Sequence, residues 1–558
     1  MRLPGLLIAL LLPVLAWSSE RGLPLVQVYN TQELGGGHLN DSLIELPDGR
    51  LAVGNVGGLL LFDGARWRMF NHPKMLGGAK HLVRTADGRI YTAFNGDAGY
   101  FLDDGTGKQV WTSLAPRIPE DERAFAAEVN VIDDRARGGL WMVLLKRLYF
   151  VPDDGSTVRS IAATGNFAFG GLVGDELWVQ DTLAGLQRVS GMAPLQLQAL
   201  PERDTLGTGQ YLRKVVADGT EWKVAMANGQ LYRYHHGRFE AWATELWPLL
   251  STAQVFTLLR LHDGRFVIGA GEIGPLIVAA DGQLLERFGA DDGLPRHATR
   301  GLLEDRDGGL WLAQDQTVVR IDLARGVTQF DETRGLASAY AATRWRGDLY
   351  VADGRGLNRL DAQAGPGGGR FERVLPTLRN VRQLAAVDDQ TLLVGSNSVH
   401  ALSVDNSGAP QSRLVFASPQ LFAMEPSRAV PGRVWIAHPQ GLLRLDQTPA
   451  GEFEQTPVAN LTWPVYTIAE QDRDTLWVAD RAGGLWRVAI GGEQAPKPYG
   501  TAQGVPEGIV RVYPGRQGGL VCDDGRAAGL RRGQRSTGGA SDTALRADVR
   551  PPLQLVGG

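Results

Sequence analysis

The chain has 558 residues, of which 43% are hydrophobic and 21% charged, and 57 Lys and Arg stand against 61 Asp and Glu. This is the composition of a folded protein too long for one ordinary domain, and the lack of a basic excess disfavours nucleic acid as a partner. A lone cysteine, Cys522, excludes internal disulfides, four-cysteine zinc sites and cysteine redox pairs, while 72 Gly and 29 Pro ask for many turns and little helix.

At the N-terminus Arg2 precedes the apolar run Leu6–Leu15, and Ala16-Trp17-Ser18 places small residues at the cleavage positions. Residues 1–18 therefore read as a secretory signal, which makes the mature protein periplasmic. The run is short of the ~20 residues that span a bilayer, so contact with a membrane is expected only through an uncleaved signal or a missing C-terminal part.

The rest of the chain is a repeat. Its clearest unit runs from Asp292 to Asp322: a strand, a tight Asp-Gly turn, a strand carrying Leu310-Trp311-Leu312, a second turn, and the strand Val318–Ile321. Val319 and Ile321 flank Arg320, the alternation of a half-buried antiparallel strand. The position of Trp311 recurs as Ala52, Tyr91, Trp141, Trp178, Trp222, Val267, Tyr350, Leu393, Trp435, Trp477 and Val521, at intervals of 37 to 50 residues. An apolar slot at this period is the mark of four-stranded propeller blades, and the slot residue is expected to pack against a neighbouring blade. Helical solenoids have similar periods, but no apolar spacing of three and four is sustained between the slots. The fold expected is all-β: tandem β-propellers, two seven-bladed rings with the second incomplete. The first ring is placed at 19–330 and the second at 331–521. Residues 522–558, rich in Arg, Gly and Ala, read as an irregular or disordered tail, a chain that stops early, or a reading-frame error near residue 520.

Gly293-Leu-Pro-Arg-His297, Leu303-Glu-Asp305 and Asp307-Gly-Gly-Leu-Trp311 together resemble the two-component regulator propeller repeat, which pairs a Gly-Leu-Pro opening with an Asp-x-x-Gly-x-Leu-Trp turn and strand. Partial copies of the opening stand at Gly22-Leu-Pro24, Gly335-Leu-Ala337 and Gly504-Val-Pro506, and of the turn at Gly138-Gly-Leu-Trp141. The resemblance covers most of residues 22–521, with only the unit at 292–322 matching closely. In that family, tandem rings form the periplasmic sensor half of membrane receptors. An immunoglobulin-like domain, a membrane span and a histidine kinase or diguanylate cyclase follow, and none of these is found in the sequence. The resemblance implies an isolated input region that binds a ligand, is not catalytic by itself, and forms a homodimer in an intact receptor.

No motif in the chain asks for a cofactor, a metal or a catalytic role. Gly269-Ala-Gly-Glu-Ile-Gly274 spells a dinucleotide fingerprint, but the strand-like Pro275-Leu-Ile-Val278 follows where a helix is required. His235-His236 falls in a turn, and two neighbours on a strand would point to opposite faces. A ligand, an unidentified small molecule or saccharide, is expected at the mouth of a ring where inner strands begin. Counting back fourteen places from the slot gives His297 and Trp463, and Asn380 holds a similar position in its blade. Aromatic and polar groups there suit stacking and hydrogen bonding. Two rival readings remain, a secreted propeller enzyme (a polysaccharide or lactone lyase, or a glycosidase) and a protein-binding scaffold, because fold alone does not choose function.

Overall fold

The computed structural model describes residue 20 and residues 22–523, apart from 126–127, 202–209, 324–326, 363–367, 406, 459–460, 492–493, 504, 506–509 and 515–519. The expected signal over 1–18 and the expected tail from 524 onward lie outside the described residues. The chain divides into two compact units, residues 23–329 and the remainder. Among the described residues it forms eleven antiparallel sheets of four strands and one of two. The architecture is a tandem of β-propellers.

In the first unit six blades use four consecutive strands each, from Asn40–Glu45 through Leu284–Arg287. The seventh is composite. Thr299–Glu304, Gly309–Gln314 and Thr317–Asp322 supply its inner three strands, and Val26–Asn30, from the start of the chain, adds the outer one. That strand pairs antiparallel from Val26 opposite Ile321 to Asn30 opposite Thr317. Blade seven also meets blade one through side chains. Asn40 Nδ2 donates to the carbonyls of Gln314 at 2.9 Å and Thr317 at 3.2 Å, and Arg306 is paired with Glu45. A ring closed by its own two ends leaves no free sheet edge at the joint.

The second unit contains four four-stranded blades, beginning at Ala339–Trp345, Gln383–Ala386, Ala423–Pro426 and Thr467–Asp472. A two-stranded sheet, Arg511–Pro514 with Leu520–Asp523, follows them. Glu20 belongs to this unit and accepts two hydrogen bonds from Arg344, at 2.6 and 2.5 Å.

All twelve slot residues lie on the second strand of their sheet, from Ala52 on Leu51–Asn55 to Val521 on Leu520–Asp523. Most pack forward onto the next blade: Trp141 joins Phe167, Leu177 and Val179, and Trp311 joins Leu43, Leu51 and Val53 across the ring joint. Blade five departs from the pattern. Its Trp222 faces backward onto the Trp178 cluster, and Lys223 occupies the forward slot. Because side chains alternate along a strand, a shift of one residue exchanges the two faces. Lys223 is only 2% exposed and sits 5.3 Å from the Trp242 ring centroid. It is neutralised by Asp218 at 3.4 Å and by Glu221.

A buried indole needs a partner for its N–H. In blade seven Trp311 Nε1 donates to Asp305 Oδ2 at 2.9 Å, while the Gly309 amide donates to Asp305 Oδ1 at 2.7 Å and Arg320 Nε donates to Oδ2 at 2.9 Å. The Asp-x-x-Gly-x-Leu-Trp string is thus a tether from turn to slot. Blade three repeats it, with Trp141 Nε1 donating to Asp134 Oδ2 at 2.8 Å. Burial alone would raise the Asp305 pKa, but the bonds from Arg320, Gly309 and Trp311 outweigh it and hold the carboxyl below its ordinary range.

Asp305→Ala is expected to lower the unfolding free energy by about 2–4 kcal/mol, since it orphans a buried indole and a buried amide. The exposed Asp307→Ala should change it by less than about 0.5 kcal/mol, and urea denaturation compares the two. Because the folded pKa is depressed, the contribution of Asp305 is present above the carboxylate's unfolded value and is lost as pH falls through the folded one. The gap between wild type and Asp305→Asn should therefore narrow in strong acid.

Candidate functional site: the channel of the seven-bladed ring

Along the axis of the first ring runs a channel of about 1050 Å³, with lining residues from the inner strands of all seven blades. Its wall is shaped by a repeated backbone irregularity. In six blades the ladder between the first two strands slips one residue in, between Asn40 and Ser42, Glu128 and Asn130, Phe167 and Phe169, Leu212 and Lys214, Val255 and Thr257, and Thr299 and Gly301. The extra residue of a bulge is unpaired and its side chain is re-aimed. The six residues so placed, Asp41, Val129, Ala168, Arg213, Phe256 and Arg300, all line the channel. In blade two, whose inner strand is only Val83–Arg84, Lys80 holds the corresponding place, eleven residues before the slot residue Tyr91, and also lines the channel.

The inner strands of blades seven and one approach closely here. A Cβ on Gly301 would lie 2.8 Å from the Asp41 carbonyl oxygen and 3.0 Å from Ser42 Cα, so this lining position has no room for a side chain.

The charges are unequal. The described lining holds four lysine and arginine side chains, Lys80, Arg213, Lys214 and Arg300, against two carboxylates, Asp41 and Asp133, although the whole chain carries a net charge of −4. Arg300 is held in place: Nε donates to Asp315 Oδ1 at 2.6 Å, Nη1 lies 3.8 Å from Asp41 Oδ1, and its guanidinium sits 4.8 Å from the Phe256 ring centroid. Burial pushes the Asp41 carboxyl above its ordinary range despite the nearby charges of His81, Arg300 and Lys80. Arg213 and Lys214, adjacent on Leu212–Asp218, differ from Arg300 in having no ion pair among the described residues. Their side chains are open to channel water yet walled by protein. Burial lowers both pKa values, helped at Arg213 by the charge of Arg300. Two polar atoms of the wall, Ser42 Oγ and Asn166 Oδ1, are buried and accept or donate no hydrogen bond.

None of His297, Asn380 and Trp463 is among the lining residues. His297 is half-buried in the turn before Thr299, where its amide donates to the Pro295 carbonyl at 3.0 Å. Asn380 and Trp463 belong to the second unit. Asn380 is exposed with φ +55°, a left-handed conformation that Asn tolerates, and its Oδ1 accepts from its neighbour Arg382 at 3.2 Å. Trp463 packs 5.4 Å from the Trp486 ring centroid on the core between blades, and its Nε1 is buried without a partner. The channel residues missed by sequence had a usable signal. Asp41, Phe256 and Arg300 each stand eleven places before their slot residues Ala52, Val267 and Trp311, three residues nearer than the fourteen used to pick His297.

Elsewhere, Gly269-Ala-Gly-Glu-Ile-Gly274 links Phe266–Ala270 to Leu276–Val278 as a hairpin. Buried His72 meets Asp97 at 3.0 Å, and Ser113 Oγ donates to the same carboxylate at 2.6 Å. Asp97 stands between the other two, so the histidine has no hydrogen bond to the hydroxyl and the trio is not arranged as nucleophile and base.

Among solved structures, the extracellular domain of BT3049 from B. thetaiotaomicron, described as a hybrid two-component system, superposes with a TM-score of 0.63 at 14% identity, over 90% of this chain and 71% of that one. At this identity the likeness is one of fold. The extracellular domain of BT4673 from the same organism aligns over 90% and 71% of the two chains at 15% identity, with a TM-score of 0.42. A catalytically inactive virginiamycin B lyase from Staphylococcus aureus aligns over 54% of this chain and 99% of its own, at 13% identity and a TM-score of 0.39. Scores this low carry no argument. No family model matches the chain, and no curated protein matches it in sequence. No helix among the described residues is long and apolar enough to cross a membrane.

Gly301→Val should be felt at the joint between blades seven and one, because the clash is with backbone that cannot rotate away. A loss of about 1–3 kcal/mol in unfolding free energy is expected, and the shift of the urea midpoint at unchanged slope measures it.

Proposed function

We propose that the chain is the periplasmic, ligand-sensing region of a two-component-type receptor, non-catalytic by itself, and that the first-ring channel is its ligand site. The observation that carries the reading is the channel, a cavity whose lining comes from every blade and includes Arg213 and Lys214, which have no ion pair among the described residues. A ligand held there would touch several blades at once and couple their packing, which suits a sensor. The fold shared with the extracellular domain of BT3049 supports the sensor role. The family resemblance of residues 292–322 points the same way.

The enzyme reading finds less support. Glycoside hydrolysis wants two carboxylates facing each other across a sugar. The two carboxylates of the lining come from opposite ends of their strands, Asp41 near the start of Asn40–Glu45 and Asp133 near the end of Glu128–Asp134.

Two measurements test the proposal. Cell fractionation with N-terminal sequencing should find the native chain outside the cytoplasm, beginning just after Ser18. A cytoplasmic chain that retains Met1 would overturn the export. In a thermal-shift screen against saccharides and small metabolites, a specific ligand at 100 times its Kd should add about 2.7 kcal/mol of stability and be recovered unchanged. Consumption of that ligand at catalytic rates would transfer the reading to the enzyme class.

A further inference from the structure

We propose that the channel of the first ring selects a small organic anion, gripped by Arg213 and Lys214 with Lys80 and Arg300 around it. This rests on the channel being the ligand site and adds the chemical class of what it takes.

Arg213 stands at the centre of the site. It is the bulged residue of its inner strand, so its guanidinium leaves the sheet ladder and enters the channel wall. Lys214, the next residue, lines the same cavity. Two adjacent cations repel, and the protein around them penalises their charge, yet no described carboxylate pairs with either. The same chain shows how it neutralises cations it means to bury. Lys223, nine residues further on, has both Asp218 and Glu221, and Arg300 has Asp315 and Asp41. Arg213 and Lys214 line the cavity with no described carboxylate beside them, and an incoming anion there supplies the partner. A guanidinium beside an ammonium offers up to eight N–H donors, a match for carboxylate, phosphate or sulfate oxygens. The Phe256 ring, with Arg300 over it, gives an organic body a surface to lie on. A volume of about 1050 Å³ admits a molecule of oligosaccharide size rather than an inorganic ion alone.

The test uses the whole exported chain and the trisulfonated dye pyranine as the anionic probe, followed by fluorescence anisotropy. Pyranine should bind, and its affinity should fall steeply as salt rises from 20 to 300 mM. The double variant Arg213→Gln/Lys214→Gln should weaken binding about 10-fold or more. Arg238→Gln, an exposed cation on the outer strand of the same blade, should leave it unchanged. If the double variant does not fold, the single variant Lys80→Gln takes its place and should weaken binding about 3-fold or more. In competition a uronic-acid disaccharide and a sugar phosphate distinguish carboxylate from phosphate ligands, and displacement by either supports the proposal. Absence of pyranine binding, binding insensitive to the folded double variant, or displacement by a neutral disaccharide as effective as by the acidic ones would each overturn it. A neutral saccharide that raises the melting temperature and is not anion-competitive would leave the sensor reading standing while the anion site falls.

Discussion

A four-stranded blade has two apolar faces and can bury neither by itself. Everything else in this molecule depends on the contact that solves the problem, a side chain in the second strand of each blade laid onto the next one. In the first ring the series must also end where it began. Trp311 therefore packs on Leu43 and Val53, and Val26–Asn30 completes the last sheet. The tether from Asp305 to the indole N–H serves the same contact, because it fixes the ring that bridges the joint. Blade five shows that the slot tolerates a different solution. A lysine fills it once two carboxylates neutralise the ammonium and Trp242 lies against it.

Ring closure also creates the site. Seven inner strands start around one axis, and a bulge at the second position of six of them turns one side chain from each toward the channel. The blades then differ in what they present there: an acid from blade one, arginines from blades five and seven, an aromatic ring from blade six. A repeat fold can in this way keep its packing rules constant while its channel varies from blade to blade. The unequal charge of the wall in a chain of net −4 follows from that separation of roles.

Much of the fold was legible in the sequence because its governing contact is periodic. All twelve positions read as slots lie on second strands. In blade five, Trp222 was the natural choice at the level of composition, yet the strand is shifted by one and the tryptophan faces backward. Size and hydrophobicity report that a residue is buried, whereas facing depends on register. The site was less legible. A bulge is a backbone event with no residue preference of its own, so only the count back from the slot reaches Phe256, and in blade five, where the slot is shifted, that count misses Arg213. His297, Asn380 and Trp463 were chosen by counting from the slot, and none reaches the channel lining. Asn380 meets a backbone requirement for positive φ instead, and Trp463 packs between blades.

The most direct test of the account is a crystal structure of the chain with the saccharide or metabolite that most raises its melting temperature. Electron density is expected inside the first ring, in contact with Arg213 and Lys214 and within reach of Arg300, with no chemical change in the bound molecule. Density bound elsewhere, with the channel of the first ring holding only water, would contradict it.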